Sequence, residues 1–210
     1  MIASKSPTQC QRPTGWIGRI VLWSMNRRHS NVTDWGLRHV SIAAHDTILD
    51  VGCGGGRTVG KLAVAARDGR VYGIDYAEAS VAAANRTNRQ LIAQGRVEIR
   101  HASVSDLPFA DNTFDLVMAV ETHFWCPDIG AGMREVFRVL KPGGRLVIIA
   151  EFYNGGKHAK YADRLSKWTT MALLDVEQHE AIFSSAGFRD VQVIEERPKG
   201  WIYGTGVKPQ

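Results

Sequence analysis

Residues 48 to 59 read ILDVGCGGGRTV, a mostly apolar run with four glycines in the five positions that follow it, Gly52 through Gly56. A short apolar run bounded by turn residues predicts a strand buried on both faces. Glycine directly behind it lets the chain bend tightly and lets the backbone approach a ligand closely. With a helical pattern over 57–67, this is a strand–turn–helix unit of an open α/β sheet. Such sheets bind ligands beyond the carboxyl ends of their strands.

The rest of the chain repeats that alternation. Strands are predicted at 47–51, 70–74, 96–100, 114–120 and 145–150, with helices at 57–67, 78–93 and 128–140 between them. Strands separated by helices of this length argue for βαβ units and a parallel sheet covered on both faces. Lys141-Pro142-Gly143-Gly144 predicts a sharp turn out of the helix ending at 140, since proline cannot continue a helix and glycine tolerates positive φ. Residues 152–174 read as irregular and then helical, the pattern of an insertion over a site. A helix starting at Asp175 runs toward Gly187, and VQVIEE with WIYGTGV predicts a closing antiparallel pair.

A chain of 210 residues suits one well-packed domain with appendages. Its net charge of +5 is concentrated in residues 1 to 40, where Lys5, Arg12, Arg19, Arg27, Arg28 and Arg38 face Asp34 alone. A basic head on a neutral body can steer an anionic partner or surface. Cys10, Cys53 and Cys126 are odd in number and lack Cys-x-x-Cys spacing, so neither a disulfide framework nor a zinc site is expected, and a reduced, cytoplasmic setting fits. Arg19 interrupts the apolar stretch GWIGRIVLW, and no run approaches eighteen apolar residues, so neither an export signal nor a membrane span is expected. Residues 1–14 predict a flexible N-terminus, 15–45 two short helices with Trp16, Ile20 and Trp23 at helical spacing, and 46–210 the main domain. Nothing in the chain sets an oligomeric state.

The glycine spacing separates two classes of nucleoside ligand. A dinucleotide site calls for Gly-x-Gly-x-x-Gly, because a pyrophosphate rests on the helix N-terminus. Here Gly52, Gly54 and Gly56 form Gly-x-Gly-x-Gly, and Arg57 stands where the third dinucleotide glycine belongs. Asp50 would repel a pyrophosphate and suits an ammonium group instead.

Asp50-Val51-Gly52-Cys53-Gly54-Gly55-Gly56 resembles the first motif of the class I S-adenosylmethionine-dependent methyltransferases. The resemblance covers about residues 46 to 151. It implies a Rossmann-like, doubly wound, seven-stranded and mostly parallel sheet with an N-terminal helical lid. In that family the loop, here Gly52, Cys53, Gly54 and Gly56, passes under the methionine moiety of S-adenosylmethionine, with the residue at Asp50 near its ammonium. Asp75, closing YGID, matches the acid that takes both ribose hydroxyls, and Tyr76 is placed to pack on adenine. Ser105-Asp106-Leu107-Pro108-Phe109 matches the loop whose Asp accepts from the adenine amino group. Phe114-Asp115-Leu116-Val117 and Leu140-Lys141-Pro142-Gly143-Gly144 match the fourth strand and the turn into the fifth.

Residues following the fourth strand line the methyl-transfer position in that family, here Val120-Glu121-Thr122-His123-Phe124-Trp125. His123 is the candidate base or orienting group, because its ordinary pKa lies near neutrality. Glu121 is a candidate for substrate contact or for holding the cofactor loop. Tyr153 is a candidate hydrogen-bond donor leaving the fifth strand. Nucleic-acid amino methyltransferases carry Asp or Asn, then Pro-Pro and an aromatic at this place, and Cys126-Pro127 reverses the Pro-Cys of cytosine-C5 enzymes. A nucleic acid is therefore not expected, and the acceptor is read as a small molecule whose reacting atom, O, N, S or C, stays open. No His, Cys or carboxylate cluster suggests a catalytic metal. A protein side chain as acceptor, a non-catalytic S-adenosylmethionine-binding module and an aminopropyl transferase are the alternatives.

Overall fold

The computed structural model describes residues 30–126, 128–167 and 171–210. The flexible N-terminus expected over 1–14, and the part of the helical lid up to residue 29, lie outside the described residues. In chain order the elements are α1 (Ser30–Leu37), β1 (Thr47–Val51), α2 (Arg57–Ala65), β2 (Arg70–Asp75), α3 (Glu78–Thr87), α4 (Arg89–Ala93), β3 (Val97–His101) and β4 (Phe114–Val120). A short 3₁₀ turn (His123–Trp125) follows, then α5 (Ile129–Val139), β5 (Leu140–Ala150), α6 (Ala159–Ser166), α7 (Val176–Ser185), β6 (Arg189–Glu196) and β7 (Trp201–Val207).

The seven strands form one sheet in the order β3-β2-β1-β4-β5-β7-β6. The first five are mutually parallel, and β7 runs antiparallel to both β5 and β6. Strand alternation builds the two layers. Ile48, Leu116, Met118, Val147 and Ile149 point to one face, where they pack with Val32 and Trp35 of α1 and Val59 and Leu62 of α2. Leu49, Val51, Val117, Leu146 and Ile148 point to the other, against Met133 and Val136 of α5 and Phe183 of α7. A third cluster, with Phe124, Phe152, Tyr153, Ala162 and Ile202, sits under the segment that carries α6. The doubly wound sheet expected from the sequence is the observed one.

Of the boundaries that differ from the sequence reading, three have a clear local reason. The helix expected over 78–93 breaks at Asn88, whose side-chain amide donates to Ala84 O at 3.0 Å and to Gly56 O at 2.9 Å. Asn88 thus trades helical continuity for a clamp on the glycine loop. Lys141–Gly144 is not a free turn: it belongs to β5, with a register shift against β4 and with Gly143 N donating to Lys208 O at 2.8 Å. The bulge absorbs Pro142 and the positive φ of 79° at Gly143. Finally α5 starts one residue later than predicted, because Asp128 is its N-cap and accepts from Ala131 N at 2.9 Å.

β1 lies between β2 and β4, so successive connections leave it toward opposite sides of the sheet. That reversal opens a crevice at the carboxyl ends of β1 and β4. α1 closes one side of it. A Cβ at Gly36 would stand 2.3 Å from Ile149 Cδ1, so only glycine lets α1 sit this close to β5. Asp34 of α1 pairs with Lys61 of α2.

Candidate active site

A cavity of about 460 Å³ fills the crevice. One end is made by the loop after β1 and the end of β2. Gly52, Gly54 and Gly56 all have positive φ, at 69°, 53° and 78°. They serve different purposes. A Cβ at Gly56 would meet Ala84 Cα of α3 at 2.8 Å, so this glycine packs loop on helix, whereas a Cβ at Gly54 meets no heavy atom within 4 Å. Gly54 faces the cavity, and its N–H donates to Asp75 Oδ2 at 3.0 Å.

Two carboxylates are buried at this end. Asp75 Oδ1 accepts from Ala77 N at 2.9 Å, and burial raises its pKa against the opposing pull of those two N–H groups. The Ser80 hydroxyl bonds this carboxyl as well, so part of its acceptor capacity is already filled by the protein. Asp50, 1% exposed near the carboxyl end of β1, has an Oδ2 without a hydrogen-bond partner among the described residues. Burial, and then the neighbouring Asp75, push its pKa up to about 8. A buried carboxyl with an orphan oxygen is costly unless a ligand completes it. An ammonium group would complete Asp50, a hydroxyl donor would find the acceptor capacity left on Asp75, and the bare face at Gly54 leaves room for a chain such as the methionine part of S-adenosylmethionine. The residues present therefore fit this cofactor.

The other end is built by the residues after β4 and by α5. Glu121 is buried with φ of 59°, an uncommon conformation for a side chain with a Cβ, and its Oε1 accepts from Glu151 N. That bond ties the end of β4 to the end of β5. His123 and Trp125 line the cavity, followed by Ile129, Met133 and Val136 of α5. His123 Nε2 lies 3.0 Å from His179 Nε2 of α7. Burial, and then His179, hold the pKa of His123 well below its ordinary value.

The structure brings together Asp50, Gly52, Cys53, Gly54, Asp75, Tyr76, Val120, Glu121 and His123 around this cavity. Gly56 lies beneath the loop. Ser105 and Asp106 are exposed and Leu107 is buried, and none of the three lines the cavity; Ala102, Ser103 and Val104 do. A β-bridge between Ser103 and Asp106 folds this turn back on itself, which carries Asp106 outward. Tyr153 is not at the cavity either. β5 ends at Ala150, and Tyr153 turns into the third cluster, its hydroxyl bonded to Glu195 and its pKa pushed up to about 12 chiefly by burial. Cys53 is a buried free thiol, and Cys126 a partly buried one beside α5.

Several residues at the cavity were not singled out from the sequence. Arg57, Thr58 and Lys61 follow the glycine loop on the first turns of α2, and Ser30 and Thr33 face the same space from α1. The helical offset of Lys61 from Arg57 was the available signal for the first group. His179 had none, since its partner is 56 residues away.

Residues 49–148 match a family model described as a methyltransferase domain. The chain is 30% identical over 155 residues to the putative methyltransferase YrhH of Bacillus subtilis (strain 168), covering 74% of this chain and 75% of that one. It is 29% identical over 154 residues to an O-methyltransferase of Pyrenophora dematioidea, covering 71% of this chain but only 57% of the fungal protein's length. Among solved structures, a SAM dependent methyltransferase from Aquifex aeolicus superposes with a TM-score of 0.73 at 21% identity, over 89% of this chain and 96% of that one. No helix among the described residues is long and apolar enough to cross a membrane.

Proposed function

This chain belongs to the class I S-adenosylmethionine-dependent methyltransferases, and from that premise we propose that it methylates a hydroxyl oxygen of an apolar small molecule. The observation that carries the reading is the continuity of one cavity between two unlike ends. One end has buried carboxyls and bare backbone; the other has apolar walls and a histidine.

At the first end Asp50 meets the ammonium, Asp75 takes the ribose hydroxyls, and Gly52, Cys53 and Gly54 form the floor under the methionine chain. Tyr76, 41% exposed at the mouth, offers its ring to the adenine. Ala102, Ser103 and Val104 make the adenine wall. Val120 sits between the two ends. When bound, S-adenosylmethionine supplies a methyl group on a sulfonium, whose carbon–sulfur pair returns to sulfur as the acceptor's lone pair forms the new bond to carbon.

What this chain adds is alignment and exclusion of water. Trp125, Ile129 and Met133 hold an apolar acceptor against the methyl position, and Glu121 fixes the backbone there through Glu151. A hydroxyl must lose its proton on becoming an ether, and His123 is the group at this end that accepts one. The name O-methyltransferase borne by the Pyrenophora relative supports oxygen as the acceptor atom. Incubation with methyl-labelled S-adenosylmethionine and a matched panel of apolar phenols, alcohols, amines and thiols tests the reading. Label in the phenols or alcohols is expected; label confined to amines or thiols contradicts it.

A further inference from the structure

The contact between His123 and His179 has a direction that the hydrogen-bond chemistry fixes. His179 is fully buried on α7, and its Nδ1 lies 2.7 Å from the backbone oxygen of Asp175. A carbonyl oxygen only accepts, so His179 Nδ1 carries a proton. A neutral imidazole has a single N–H, which leaves His179 Nε2 as a lone pair. The 3.0 Å contact between the two Nε2 atoms then requires His123 Nε2 to be the donor. His123 therefore carries its proton on Nε2, and its Nδ1 is a bare lone pair, buried and without a hydrogen-bond partner among the described residues.

We propose that His179 is a positioning residue that locks His123 in its Nε2–H tautomer, so that Nδ1 is the atom that receives the proton of a hydroxyl acceptor. The inference rests on the functional reading above. As the new carbon–oxygen bond forms, the hydroxyl proton passes to Nδ1, and the resulting imidazolium keeps its Nε2–H on His179. The chain continues through His179 Nδ1–H to the Asp175 carbonyl, so the positive charge on His123 faces a row of aligned dipoles. Burial of both rings lowers their pKa values and keeps them neutral before the reaction, as the tautomer chain requires. Of the charged groups nearby, the Asp175 carboxylate acts on His179, and it is held in the capping box of α7, accepting from Gln178 N at 2.8 Å. The ring of Phe124 packs edge-on against His123, with ring centroids 5.0 Å apart.

The imidazole nitrogens of the full chain, labelled with ¹⁵N-histidine, report the tautomers directly by NMR. The expected spectrum has His123 protonated at Nε2 and His179 protonated at Nδ1. In His179→Phe, which fills the space but cannot accept, His123 should relax to a mixture of tautomers. His179→Gln retains an acceptor oxygen and should restore the wild-type signature. S-adenosylhomocysteine affinity, measured in parallel by calorimetry, should stay within about twofold in both variants, since neither touches the cofactor end. A wild-type His123 protonated at Nδ1, or a His179→Phe spectrum identical to wild type, overturns the inference while leaving the methyltransferase reading intact. Failure of the wild type to bind S-adenosylhomocysteine overturns the functional reading instead, whatever the tautomer.

Discussion

The two ends of the cavity are built by opposite strategies. At the cofactor end the key residues follow one another along two short stretches, 50–56 and 75–77, and are held by backbone hydrogen bonds such as Cys53 N to Ile74 O at 2.8 Å. At the acceptor end the corresponding contacts join β4 to β5 through Glu121 and Glu151, and the 3₁₀ turn to α7 through His123 and His179. A shared ligand can be held by a contiguous motif. An individual acceptor is shaped by side chains that meet only after the sheet has closed, so this end can vary without disturbing the first.

The largest effects should come from the glycines, and they should separate fold from ligand. Alanine in a left-handed position costs about 1–2 kcal/mol by itself. Gly56→Ala adds an overlap with the backbone of α3, at a further cost of roughly 1–3 kcal/mol. Urea unfolding should show that variant as the less stable of the two. Gly54→Ala should remain folded and lose cofactor affinity by about tenfold or more, because its methyl enters space that the protein itself leaves open. Equal stability losses with unchanged binding in Gly54→Ala would erase the distinction.

Asp75→Ala comes next. Removing charge-assisted hydrogen bonds to the ribose should weaken S-adenosylmethionine binding by about 1–3 kcal/mol, read by calorimetry. Part of that loss is structural, since Gly54 N and Ala77 N both donate to this carboxylate. Unchanged affinity would remove Asp75 from the cofactor end.

A smaller effect should distinguish the acceptor end by its response to acid. His123 and His179 both have lowered pKa values in the folded protein. Below the ordinary histidine pKa the unfolded chain binds more protons than the folded one, so stability should fall as pH drops through about 6.5. His123→Phe combined with His179→Phe should flatten that part of the stability curve relative to wild type. A curve equally steep in the double variant would place the acid sensitivity elsewhere. The smallest effect belongs to Tyr153→Phe: about 1 kcal/mol of stability from the lost bond to Glu195, with cofactor affinity and methyl transfer essentially as in wild type. A severe loss of turnover would return Tyr153 to the site.

The same contrast explains what could be read from the sequence. The parallel α/β alternation, the two-sided core and the glycine loop follow from patterns a few residues long: the buried run at 47–51, the glycine spacing, and Asp75 at the end of the next strand. Asp175 and Gln178 likewise announced a helix start and form a capping box. Asn88 did not announce a helix break, because its amide finds Gly56 O only in the folded chain. Tyr153 followed β5 closely in sequence, yet the chain turned it away from the cavity, and Asp106 was carried outward by a bridge to Ser103. His179 was silent for the same reason. Residues whose role depends on a partner across the fold leave no local period or spacing to read.

Asp50 is the buried carboxyl on which cofactor binding should depend most: its pKa is pushed up to about 8, and its Oδ2 has no hydrogen-bond partner among the described residues. Burial and the neighbouring Asp75 favour its protonated form in the ligand-free protein. An ammonium placed beside it favours the anion, so binding must release a proton. Calorimetric titration of the protein with S-adenosylmethionine at pH 7, in two buffers of different ionisation enthalpy, measures that release. Binding with up to about one proton released is expected, with loss of the buffer dependence in Asp50→Asn. Absence of binding, or binding with the same enthalpy in both buffers, would contradict this expectation.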